Sequence, residues 1–222
     1  AASDVYKRQI VDPELTATMP KSVTAQTGFD AFCHNFEAYL SVNTNPLVEV
    51  MALEAIRIIN ENLPKVLEDG SNMEARSQMA WADTLGGLTN SNAGVTLPHG
   101  LGMQVGGHCP QVTHGQALAA FYPAFTRYTY PTAIEKFATV GRILNSELCG
   151  LDNVAAAKQC CEEIDKFLQR IGLWIGYSEL GVSMEDIREI SDCGQVLGDY
   201  LNNPRVATID EMYELLISCY QR

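Results

Sequence analysis

Apolar residues in this chain recur every three or four positions rather than every second one, and turn-forming residues cut that pattern into segments of helical length. Val23 to Leu40, opened by Met19-Pro20, carries Phe29, Phe32, Phe36, Ala38 and Leu40 at helical spacing. A second helix is predicted over Leu47 to Leu67, with Val50, Leu53, Ala55, Ile56 and Ile59 on its apolar side and Asn45-Pro46 as its opening signal. Pro64 is expected to kink or end it, and Asp69-Gly70-Ser71 to close it. Met73 to Leu88 follows, then the small polar run Asn90-Ser91-Asn92-Ala93-Gly94. The glycine-rich stretch from Gly100 to Gly107 suggests close packing of backbones and is assigned no helix of its own. Further helices are predicted over His114 to Tyr128, Pro131 to Leu144, Val154 to Ile171, Met184 to Asp199 and Ile209 to Tyr220, with Asn202-Asn203-Pro204-Arg205 as a loop. Asp12-Pro13-Glu14-Leu15 reads as an extended lead-in. There is no strand–helix alternation and no repeat period, so the expected fold class is all-α.

Composition narrows the function classes. With 222 residues, 46% hydrophobic and 19% charged, the chain has the make-up of a globular protein. A formal net charge of -12 argues against nucleic acid as a partner, because phosphate backbones are held by clustered Lys and Arg. No apolar run approaches the roughly 18 residues of a membrane span. Seven cysteines at irregular spacings, with no Cys-x-x-Cys pair, fit reduced thiols in a cytoplasmic protein better than a disulfide framework. Ala1 to Gln9 resembles the adaptor-derived translated stretch found at the ends of assembled gene fragments. We expect residues 1–9 to take no part in the fold, and residues 10–222 to be a C-terminal piece of a longer protein.

The chemistry is concentrated in four histidines. Asp30 and His34 stand four apart on a predicted helix, a spacing that puts side chains on one face with Cβ atoms roughly 5–6 Å apart. His99 and His114 come from other elements, with His108 between them. Three imidazoles and a carboxylate suit a borderline divalent ion such as Fe2+ or Zn2+ rather than Ca2+ or Mg2+. By itself the Asp30/His34 pair has a blander explanation, a solvated pair or a satisfied core histidine. A di-iron bundle would need Glu-x-x-His motifs, and there are none.

The motifs around these residues resemble the helical domain of the iron-containing alcohol dehydrogenases. The resemblance runs in order through Val11-Asp-Pro-Glu-Leu-Thr, Thr24-Ala-Gln-Thr-Gly-Phe-Asp-Ala-Phe-Cys-His-Asn-Phe-Glu-Ala-Tyr39 and Asn45-Pro-Leu. It continues through Glu74-Ala-Arg-Ser-Gln-Met79, Ser91-Asn-Ala-Gly94, His99-Gly-Leu-Gly-Met103, His114-Gly-Gln-Ala-Leu118 and Asn203-Pro-Arg205. It implies the dehydroquinate synthase-like fold and one catalytic ion, Fe2+ with Zn2+ as the alternative, held by Asp30, His34, His99 and His114. It also implies a small alcohol or aldehyde as substrate, NAD or NADP as hydride carrier, and room for a homodimer. The ion would act as a Lewis acid on the alcohol oxygen while hydride passes to the nicotinamide.

Two departures bear on this. Many members carry a second histidine four residues after the third ligand, where this chain has Met103. The His99-to-His114 spacing is about one residue longer than in several members, which makes His108 an alternative ligand. The family's Gly-Gly-Gly-Ser nucleotide loop and its N-terminal nucleotide-binding domain are not found, and Gly86-Gly87 and Gly106-Gly107 read as helix-packing glycines. Phe36 and Glu37 are expected to be core packing and a surface charge. The alternative to a dehydrogenase domain is a metal-binding fragment or interaction module without turnover.

Overall fold

The fold is organised around one helix buried on nearly every side. In the computed structural model, which describes residues 10–222, α1 (Lys21–Leu40) buries Phe29, Phe32, Phe36, Ala38, Tyr39 and Leu40 together with Asn35 and Glu37. A helix with apolar residues on most of its faces is stable only inside a protein, and α1 is enclosed accordingly. On one side lie α2 (Pro46–Glu68) and α3 (Met73–Ala93), and on the other α5 (His114–Thr129). Aromatic rings tie the layers together: Phe29 meets Tyr122 of α5 edge-on at 5.1 Å, and Phe36 meets Phe137 of α6 (Ile134–Leu144) at 5.2 Å. Phe32 meets Phe167 of α7 (Asn153–Arg170) at 5.5 Å. Each such ring stabilises by about 1.5–3 kcal/mol when fully buried. α4 (Leu97–His108) packs on α5, and α8 (Met184–Asp192) packs on α9 (Ile209–Ser218). No strand occurs among the described residues, and no helix among them is long and apolar enough to cross a membrane. The segment 1–9 lies outside the described residues.

The all-α expectation holds, with local corrections. The lead-in is not extended: Pro13–Thr16 forms a 3-10 turn, with Pro13 in its first position and Asp12 Oδ1 accepting from Glu14 N–H at 3.0 Å. α2 runs through Pro64. The missing proline N–H frees the Asn60 carbonyl, and Arg170 Nη2 donates to that oxygen at 3.2 Å and to Asn60 Oδ1 at 2.6 Å. α3 continues to Ala93, because Ser91 and Asn92 turn their side chains back onto the Gly87 and Leu88 carbonyls at 2.7 and 2.8 Å. Gly94, at φ +71°, ends it where a Cβ would be strained. Pro131 belongs to a 3-10 turn before α6. α8 stops at Asp192, since Gly194 and Val196 bond three residues back, to the Ser191 and Cys193 carbonyls, in tight turns.

The largest correction is α4, a twelve-residue helix over the glycine-rich stretch. Leu97, Leu101 and Val105 at four-residue intervals are all fully buried, and this stripe outweighs the poor helix propensity of glycine. Close packing holds for half of its glycines. A Cβ on Gly102 would lie 3.2 Å from Leu118 of α5, while Gly106 and Gly107 face open space. Gly86 is likewise tight, 2.9 Å from Asn35 Nδ2, and Gly87 is not.

Gly115 marks a close approach of α5 to α1: a Cβ there would stand 2.6 Å from the Gln26 carbonyl oxygen. Gly115→Ala should therefore cost about 1–3 kcal/mol by forcing the two backbones apart, measured as a lower urea midpoint at unchanged m-value.

Candidate metal centre

One face of α1 carries the polar residues of the site. Asp30, His34 and Glu37 follow at i, i+4 and i+7, two turns of one stripe. His99 enters from the first turn of α4, and His114 is the first residue of α5. The α5 start is fixed by a capping box between Thr113 and Gln116, and Thr113 Oγ1 also donates to Gln26 Oε1 of α1 at 3.0 Å. Gly115 then lets α5 close on α1, and Gly102 leaves room for the His114 ring, whose Cε1 would be 3.5 Å from a Cβ there.

Asp30 Oδ1 is the focus. His99 Nε2 lies 3.3 Å from it, His114 Nε2 3.7 Å and His34 Nε2 3.9 Å. Ligand atoms of Asp30, His99 and His114 all fall within 4.8 Å of one another. His34 stands just outside that set, with its ring stacked on His99 at 4.7 Å between centroids. The site is deep at His99, whose side chain is 5% exposed, and opens at His114, which is 38% exposed. Asp30 Oδ1 and His99 Nε2 are buried and have no hydrogen-bond partner. Two facing acceptor positions of this kind call for a cation between them.

The structure separates the remaining candidates. His108 closes α4 nine residues beyond His99, roughly 13 Å along the helix axis, and its Nδ1 bonds the Gln104 carbonyl at 2.9 Å. It is not among the gathered residues. Met103 is half exposed and offers no ionisable group. Glu37 is the correction of most consequence, because it is fully buried and not a surface charge. Its Oε1 accepts from His99 Nδ1–H at 2.9 Å and from the Tyr122 hydroxyl at 3.3 Å. Its Oε2 accepts from Thr96 N–H at 2.8 Å and Thr96 Oγ1–H at 3.2 Å. The signal in the sequence was its i+7 register with Asp30; Thr96 and Tyr122 had none.

Electrostatics follow from this geometry. Burial pushes the His99 pKa down, but the Glu37 charge, the Asp30 carboxylate beside it and the Glu37 hydrogen bond outweigh it and raise it to about 10. Burial raises the Asp30 carboxyl, but the three imidazoles, His99 foremost, leave it below the ordinary value. Burial lowers the His114 pKa, helped by His99 and His34, so its ring stays neutral with a lone pair to offer. A raised pKa at His99 and a free Nε2 lone pair look contradictory. They share one cause: two carboxylates demand a positive charge at this spot, a proton or a divalent ion in its place.

Fold and polar cluster together define a class, a helical domain with a transition-metal type of donor set. The chain belongs to the iron-containing alcohol dehydrogenase family: the model described as "Fe-containing alcohol dehydrogenase family, C-terminal" matches residues 24–220. It is 33% identical over 213 residues to the NAD-dependent methanol dehydrogenase of Bacillus methanolicus, covering 93% of this chain and 54% of that protein. It is 34% identical to the 1,3-propanediol dehydrogenase of Klebsiella pneumoniae, covering 91% of this chain and 52% of that one. A crystal structure of a 1,3-propanediol oxidoreductase superposes with TM-score 0.91 at 32% identity, over 94% of this chain and 55% of that one. The chain thus spans about half the length of the relatives it matches.

The raised His99 pKa has a consequence for stability. A histidine whose folded pKa lies above its unfolded value stabilises fully below that value, and the stabilisation is lost as pH rises through the folded pKa. The ion-free chain should therefore lose stability between about pH 6.5 and pH 10, and His99→Gln should flatten that slope in denaturation curves recorded across the range.

Proposed function

We propose that Asp30, His34, His99 and His114 hold one divalent transition ion, Fe2+ or alternatively Zn2+, and that the protein to which this chain belongs is an NAD(P)-dependent alcohol dehydrogenase. The observation that carries the proposal is the pair of buried, unpartnered atoms, Asp30 Oδ1 and His99 Nε2, facing each other at 3.3 Å beside His114. Nitrogen and oxygen donors in this ratio suit iron and zinc. His34, whose Nε2 lies 3.9 Å from Asp30 Oδ1, completes the set. Seven free cysteines, five of them buried, agree with a reducing cytoplasm.

The residues divide the work by position. Asp30 brings the negative charge, buried among three imidazoles. His99 is the rigid inner donor, and His114 stands at the open side, from which a small alcohol or aldehyde reaches the centre. When bound, the ion supplies Lewis acidity to the alcohol oxygen. Met103, on the His99 face of α4, cannot carry a proton, so proton release falls to water or the substrate's surroundings. The nicotinamide cofactor, NAD or NADP, is bound by a part of the protein outside residues 10–222.

The test compares this chain with the longer gene product, each loaded with Fe2+ or Zn2+, in NAD(P)-linked oxidation of short alcohols. Turnover is expected from the longer product alone. No turnover from it overturns the dehydrogenase assignment, and turnover by this chain alone overturns the placement of the nucleotide site. His99→Ala should lower ion affinity by at least about 100-fold; unchanged metal stoichiometry by elemental analysis would refute the ligand set.

A further inference from the structure

Burying a carboxylate in an aromatic core is unfavourable unless every lone pair is used. Glu37 meets that demand with four donors on two oxygens: His99 Nδ1–H and the Tyr122 hydroxyl on Oε1, Thr96 N–H and Oγ1–H on Oε2. Three helices converge on it. Thr96 is the N-cap residue of α4 and makes no side-chain capping bond, because its hydroxyl is turned to Glu37 instead. His99 follows three residues later in the same helix. A single carboxylate therefore grips both the start of α4 and the imidazole that α4 presents.

We propose that Glu37 is the positioning residue of the metal centre, setting the His99 tautomer so that Nε2 directs a lone pair at the space beside Asp30. The proposal rests on the metal-centre assignment above. A carboxylate only accepts, so the ring nitrogen facing it, Nδ1, must carry the hydrogen. That leaves Nε2 as the donor atom, and Nε2 is the buried atom without a partner, 3.3 Å from Asp30 Oδ1. Ring orientation is set by the same bond, with Thr96 and Tyr122 preventing the carboxylate from turning away.

Glu37→Gln separates positioning from packing, because the amide keeps the shape and loses one acceptor. Thr96 N–H can only donate, so the amide oxygen is drawn to it. The amide NH2 then faces His99 Nδ1, which must accept, and the ring hydrogen moves to Nε2 and blocks it. Glu37→Asp keeps an acceptor-only group on a shorter arm.

The full chain and both variants would be titrated, ion-free, with Zn2+ against a chromophoric chelator, with Co2+ visible bands as the signature of ligand geometry and thermal melts in chelator as the folding control. Glu37→Gln should keep a cooperative melt, lose about 10–100-fold in Zn2+ affinity and change the Co2+ bands. Glu37→Asp should recover part of the loss. A folded Glu37→Gln that binds Zn2+ as tightly as wild type overturns the proposal. If that variant does not fold, the Zn2+-loaded wild type decides. A slowly exchanging downfield imidazole Nδ1 proton supports the role of Glu37, and its absence overturns it. A wild-type chain that binds neither ion overturns the metal-centre assignment itself, an outcome distinct from tight wild-type binding retained in Glu37→Gln.

Discussion

The hydrogen bond from His99 to Glu37 is where the burial of charge and the assembly of the site become one problem. An apolar helix such as α1 packs best when every face is hydrocarbon, yet Asp30 and Glu37 put two carboxylates on one of its stripes. Each has to be compensated by side chains or by neighbouring elements, since the helix's own backbone amides are already engaged. Glu37 takes its compensation from α4 and α5 through Thr96, His99 and Tyr122. Asp30 takes it from the imidazoles of His34, His99 and His114. Where α4 and α5 sit is thus decided as much by these polar demands as by the leucines beneath them.

Small residues make the arrangement possible. Gly115 admits the α5 backbone so close to the Gln26 carbonyl that a Cβ would not fit, and Gly102 leaves space for the His114 ring. The caps do the rest. Thr113 and Gln116 fix the first turn of α5, so the residue that begins the helix, His114, cannot drift from Asp30. The outcome is a site enclosed at His99 and open to solvent at His114.

Much of this was legible from residue order, and the exceptions have identifiable causes. The helices with strong apolar periodicity, α1, α2, α5 and α7, fall where their spacing predicts. α4 was hidden because local propensity speaks against glycine, and only the buried stripe of Leu97, Leu101 and Val105 overrides it. Pro64 misled for the complementary reason, as the donor that rescues the Asn60 carbonyl, Arg170, is far away in sequence. Glu37 was misplaced because a glutamate between aromatic residues looks the same in sequence whether it is solvated or clamped. His108 could not be separated from His114 by counting, but helix geometry places it at the far end of α4.

What sequence by itself determined was the class of fold and the family pattern, and it nominated the set Asp30, His34, His99 and His114. Each of these is written in local periodicity or in short ordered motifs. Tertiary structure decided which histidine is buried and which is exposed, that Asp30 Oδ1 and His99 Nε2 meet without partners, and that Glu37 belongs to the site. The physical reason is that a side chain's protonation, tautomer and reach depend on groups brought within about 3 Å of it by packing, and those groups here come from positions 59 to 85 residues away along the chain.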